Sequence, residues 1–390
     1  MQHKNNTTDL LPEIASLLLM NSSFSHRKGL FWGKMGAALF LYHYAEYQNS
    51  DIYSAYADEL LLEILGQLNE KDLMYTRGAG GIAWGIDYLF KKEFVDVPPD
   101  NNIFSNINTH LIRTSYTFDL GIESCGITSY LFSRLKPDTR EQEQQLEHLL
   151  LAELIIAQID AIDRNSGKHE RYSNHRLYQM LTQDPDYIYL SNFVESHSQA
   201  AAILKRAKDH NIYPEITHRL DNEVFHALFD LTHALSELSQ SKTFDKKELS
   251  FMLNRLSIAY NACSQLSFSG PCQQHWDAFM ETIITLDGKI HQAAAKEKSK
   301  ESYIHLDLRT IASLSRLNTK AEDSRLAALI EKRSNDIATF CLQKNNLVNT
   351  SLDNNGQLNI GLTGLSGLGL ILLSTTLPAA MDWDKSILFS

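Results

Sequence analysis

Residues 361–373 of this 390-residue chain read GLTGLSGLGLILL. Four of the chain's 18 glycines, Gly361, Gly364, Gly367 and Gly369, are set in and just ahead of an apolar run. Glycine inside a helix costs roughly 1 kcal/mol relative to alanine. A cluster of them at the head of a helix therefore needs a compensating use.

The same pattern recurs upstream. GKMGAALFL begins at Gly33, GAGGIAWGI at Gly78 and ESCGITSYL at Glu123, so successive starts are 45 residues apart. Each copy carries a small-residue pair three apart, Gly33/Gly36, Gly78/Gly81 and Gly364/Gly367. The third copy has Glu123 in the first place and Cys125–Gly126 near the second. An apolar segment of about ten residues follows each head. A fixed period of this length is the mark of a two-helix repeat.

Between the copies lie amphipathic patterns. YSAYADELLLEILGQL places Tyr56, Leu60, Ile64 and Leu68 on one face, and REQEQQLEHLLLAELIIAQI does the same with Leu146, Leu149, Leu150, Leu154 and Ile155. No strand-like alternation persists. Each repeat thus reads as one nearly all-apolar helix and one amphipathic helix, which predicts an all-α chain. An open solenoid would make every helix amphipathic. Helices apolar all round belong to an inner ring, so an (α/α) toroid, a double barrel, is expected. Glycine at each inner head would allow a sharp turn and close packing. It would also leave helix-start N–H groups facing one end of the ring, where a site could form.

Composition limits the function. With 43% hydrophobic and 21% charged residues the chain can bury a core, and a net charge of −11 argues against nucleic acid as a partner. Cys125, Cys263, Cys272 and Cys341 make no disulfide framework and fit a reducing cytoplasm. The first twenty residues read as an amphipathic helix rather than an export signal, because Pro12 and Glu13 interrupt them. No charge occurs between Asp353 and Asp382, but Asn354, Asn355, Gln357, Asn359 and Pro378 fall in that window. No membrane span is expected there.

GLFWGKMGAALFLYHYAEY, RGAGGIAWGIDYLF and above all GLTGLSGLGLILLSTTLPAAMDWDKSILF, with its Trp383–Asp384 pair, resemble repeats of the lanthionine synthetase C family. The resemblance covers about residues 25–135 and 355–390. It implies a single toroid domain over 1–390, of seven inner and seven outer helices. Family members add a peptide cysteine thiol to a dehydroalanine or dehydrobutyrine, with the thiol activated by zinc held on two cysteines and a histidine.

The middle of the chain departs from that pattern. FVESHSQAAAIL registers as the fourth repeat with Ser198/Ala201 at the glycine positions, RLSIAYNACSQL as the fifth with Asn261/Ser264, and DLRTIASLSRL as the sixth with Thr310/Ser313. In this register the zinc ligands fall on Ala259, Leu308 and Arg309. None of these three binds zinc, so no cofactor is expected unless the register is different. Asp119, His197 and Arg255 match the family's acid, histidine and arginine, which the resemblance assigns to proton transfer and enolate stabilisation. The longer third interval leaves an inserted segment at about 165–190, where RYSNHRLYQMLTQDPDYIYL is polar and aromatic.

Three functions follow. A zinc-free homologue would bind a precursor or modified peptide, or a partner such as a dehydratase. An active cyclase would work through Asp119, His197 and Arg255, or through metal on unrecognised ligands such as Cys263, Cys272, His275 and His305. A toroid repurposed for another substrate, a glycan for example, would show carboxylates and aromatic platforms at its mouth.

Overall fold

The computed structural model describes residues 6–69, 71–96, 107–108, 110–111, 121–134, 153, 155–160, 162, 187–209, 211–241, 244–267, 272–296, 304–343, 346–353, 356–377 and 383. Among these the fold is all-α. The helices are α1 (Asn6–Asn21), α2 (Lys34–Gln48), α3 (Asp51–Gly66), α4 (Ala79–Lys91), α5 (Ile122–Arg134), α6 (Tyr187–Asp209), α7 (Pro214–Ser241), α8 (Lys246–Leu266), α9 (Trp276–Lys296), α10 (Ile304–Ala321), α11 (Ser324–Cys341), α12 (Asn346–Thr350) and α13 (Leu365–Thr376). No described helix is long and apolar enough to cross a membrane. Most of the insertion at about 165–190 lies outside the described residues.

The chain gathers into two compact units, one holding α1 to α5, α12 and α13, the other α6 to α10, with the division inside α11. In the first unit α13, α2, α4 and α5 pack in sequence, while α3 lies on α2 and α1 lies on α13 and α2. The row is buried on every side, from Lys34 to Ala45 in α2, Ala79 to Leu89 in α4 and Leu365 to Leu373 in α13. Helix α3 buries only Ala57, Leu60, Leu61 and Ile64. These are the apolar and amphipathic helices read from the sequence, although Leu68 falls beyond the end of α3. In the second amphipathic pattern Ile155 is buried; the side chains of Leu146, Leu149, Leu150 and Leu154 lie outside the described residues.

The repeat glycines serve close approach, not sharp turning. Gly33, Gly78 and Gly364 cap α2, α4 and α13 with φ of −132°, −111° and −133°, which any residue can adopt. What they need is space. A Cβ on Gly36 would stand 2.5 Å from the Leu30 carbonyl oxygen and 2.7 Å from the Leu362 nitrogen, and one on Gly81 would stand 1.9 Å from the Tyr75 oxygen. The heads interlock through this contact. Thr363 donates to the Phe31 oxygen from its N–H at 3.0 Å and from Oγ1 at 2.7 Å, Leu362 N–H donates to the Leu30 oxygen at 3.2 Å, and Phe31 N–H donates to the Thr76 oxygen at 2.9 Å. Glu123, in the first turn of α5, continues the chain of contacts, accepting from the N–H groups of Tyr75 and Thr76 and from Thr76 Oγ1.

Some of the helix-start N–H groups are used within the heads themselves. Lys34 and Met35 donate to the Arg27 and Lys28 oxygens, Ala79 to Asp72 and Leu365 to Asn359. The loops take up the donors that a helix start leaves unmatched.

In the second unit α8 packs between α6 and α10, while α7 lies on α6 and α8, and α9 lies on α8 and α7. Helix α8 starts at a reciprocal cap. Asp245 accepts from Glu248 N–H at 2.8 Å and Glu248 accepts from Asp245 N–H at 2.9 Å. Here the glycine-headed start is gone. Ser198, Asn261 and Thr310, registered at glycine positions, lie inside continuous helices. Without glycine at these positions there is no break, and the helix runs through.

Candidate functional site

Helices α6, α8 and α10 place three charges together. Arg309 on α10 donates to Glu195 on α6 through both arms of its guanidinium, Nη1 to Oε1 at 2.5 Å and Nη2 to Oε2 at 2.9 Å. Arg255 on α8 donates from Nη1 to the same Oε1 at 2.6 Å. Paired planar contacts of this kind are the strong form of ion pair. The Arg255 side chain is 7% exposed, Glu195 28% and Arg309 33%. Phe251 lies under the Arg255 guanidinium at 5.0 Å.

Burial alone would raise the Glu195 carboxyl. The charge and hydrogen bonds of Arg309, then those of Arg255, instead carry it from 4.5 down to about 2. Burial lowers Arg255, Glu195 opposes that shift, and the neighbouring Arg309 charge adds to it. Arg255 Nε is buried without a hydrogen-bond partner. Among the described residues the cluster therefore holds two guanidiniums against one carboxylate.

Of the expected residues the structure describes Arg255 and His197. Arg255 is at the centre of the cluster. His197 is on α6 two residues from Glu195, with its ring stacked on Phe193 at 3.9 Å and Nδ1 2.8 Å from the Phe193 carbonyl oxygen. A carbonyl only accepts, so Nδ1 carries the proton and Nε2 is the basic nitrogen. Asp119 lies outside the described residues. Glu195 was not singled out from the sequence, although it stands in the VESHSQ stretch beside His197.

The positions registered for zinc do not fit the ion. Ala259 and Leu308 are buried and offer no donor atom, and Arg309 is engaged with Glu195. Among the described residues no group of three or more His, Cys, Asp or Glu is placed to hold a metal. Of the spare ligands, Cys263 and Cys272 meet in the core. Burial raises the Cys263 thiol, whose Sγ points at the Phe225 carbonyl oxygen at 3.9 Å, while the neighbouring Cys263 lowers that of Cys272. Tyr260 donates to the Cys272 carbonyl oxygen at 2.5 Å. His275 is placed differently, against Phe229 and His233, with ring centroids 5.2 and 5.0 Å away. It lines a cavity of ≈ 230 Å³ with His233, Glu237 and Tyr260. The side chain of His305 lies outside the described residues.

Compared with models of known protein families the chain finds no match, and compared with curated proteins it finds none either.

Proposed function

We propose that the chain is a divergent lanthionine synthetase C-like protein that binds a peptide without activating a thiol on zinc. The two helix rows, α13–α2–α4–α5 and α6–α8–α10, would supply inner helices of an (α/α) toroid. The ligand would be a precursor or modified peptide, presented alone or with a dehydratase or other modification enzyme. Four buried cysteines without a disulfide suit a reducing cytoplasm.

One observation carries the reading. Arg309, in the place registered for the metal-binding histidine, grips Glu195 with both arms. A thiol is a poor nucleophile until it loses its proton. A guanidinium stays protonated and accepts no hydrogen bond, so Arg309 cannot take that proton. It can hold a charged group in place.

Two measurements on the purified protein test this. Elemental analysis without chelator should find zinc well below one per chain. A synthetic peptide with one dehydroalanine and one cysteine should keep its free thiol, counted by alkylation and mass, at the uncatalysed rate in excess protein. Stoichiometric zinc or faster thiol loss would establish an active cyclase instead.

A further inference from the structure

We infer that the Arg255–Glu195–Arg309 cluster is the receptor for a carboxylate on the bound peptide. Among the described residues two cations face one anion there, with Glu195 as the carboxylate that both guanidiniums meet. Uncompensated charge out of water is costly. The Arg255 side chain is more than nine-tenths buried, and its Nε has no acceptor. Arg309 is one-third exposed and gives an incoming group its approach. A second carboxylate beside Glu195 would balance the cluster at two charges of each sign and supply the acceptor the guanidiniums lack. The overall charge of −11 works against non-specific binding of such a group. A carboxylate can come from an acidic side chain or from the peptide's C-terminus, and the chemistry recognised is the same. Taking a peptide as the carrier rests on the binding reading above. The charge deficit does not.

Fluorescence anisotropy with a labelled glutamate-rich peptide, titrated with the full-length protein, tests the inference. Three probes differ only in charge: the parent peptide, its all-glutamine form and its C-terminal amide. The parent should bind, and Arg309→Gln should weaken it by about tenfold, the worth of one charge-assisted pair. Thermal melts must show that this variant folds, which it can because Arg255 remains on Glu195. Arg309→Lys, keeping charge without the planar fork, should fall between. Loss with the glutamine form assigns a side-chain carboxylate, and loss with the amide assigns the C-terminus. Equal binding of all three probes, unchanged binding by Arg309→Gln, or no binding of any probe would overturn the inference. Equal binding of the three probes would leave peptide binding itself standing, whereas zinc-dependent thiol loss would overturn the proposed function without touching the charge argument.

Discussion

Arg309 and Glu195 are joined by two parallel hydrogen bonds, although 114 residues separate them. Arg255 shares the same carboxylate oxygen, so Glu195 bridges α6, α8 and α10. Removing it leaves two guanidiniums facing each other. Breaking a buried pair costs about 3–5 kcal/mol, and the partial exposure of Glu195 lowers the expected cost of Glu195→Gln to roughly 2–3 kcal/mol. Urea unfolding at pH 7 reads this directly. The Glu195 carboxyl is held below its ordinary value, so its contribution is fully present above 4.5 and is lost as pH falls towards about 2. The gap in stability between wild type and variant should therefore close over that interval. A gap that is constant with pH would mean that the ionised carboxylate is not what holds the helices.

A second pH dependence belongs to the first unit. His43 on α2 is buried, with Nε2 2.7 Å from the Tyr88 hydroxyl. Burial, then the charge of Lys92, lowers its pKa from 6.5 to about 3. Below 6.5 the unfolded chain binds a proton that the folded chain refuses, so stability falls as pH drops towards 3. The whole interval is worth on the order of 5 kcal/mol. His43→Gln should flatten the stability profile between pH 7 and 4, whatever its cost at neutral pH. An unchanged slope would show that another group sets the acid sensitivity.

How far the fold could be read from sequence differs between the units, and for a physical reason. Gly36, Gly81 and Gly367 are demanded by neighbouring backbone and Gly126 by the Tyr75 ring, so close approach leaves a repeating mark in the sequence. In α6, α8 and α10 the corresponding Ser198, Asn261 and Thr310 lie inside continuous helices, so no glycine marks these positions in the sequence. Glu195 was invisible because its importance depends on Arg255 and Arg309, 60 and 114 residues away. An acidic residue on a helix has no mark of its own. Asp119, inferred by resemblance alone, lies outside the described residues.

Alanine should have opposite effects at different glycines. Gly81→Ala would push a Cβ to 1.9 Å from the Tyr75 carbonyl oxygen and 2.9 Å from the Leu30 Cβ. Backbone must move, so a loss of at least about 3 kcal/mol is expected, beyond ordinary overpacking. Gly288 lies in α9 with nothing within 4 Å of an added Cβ. There alanine gains helix propensity, and Gly288→Ala should stabilise by up to about 1 kcal/mol. Thermal melts of the two variants side by side decide the matter. Similar losses at both sites would remove the case for close approach.

Glu123 occupies the place where the repeat would put glycine, and it holds three donors of the preceding head. Tyr75 N–H, Thr76 N–H and Thr76 Oγ1 all end on its carboxylate. A buried donor left without an acceptor costs about 1–3 kcal/mol. Glu123→Gln keeps one carbonyl oxygen and should cost least. Glu123→Gly restores the repeat's own residue, yet it strands all three donors and adds backbone freedom, so it should be the most damaging. Hydrogen exchange supplies the local readout, because the Tyr75 and Thr76 amides should exchange faster in the glycine variant while those deep in α2 keep their protection. If glycine proved the milder change, Glu123 would be a bystander, and the interlock would end at the Phe31–Thr76 hydrogen bond.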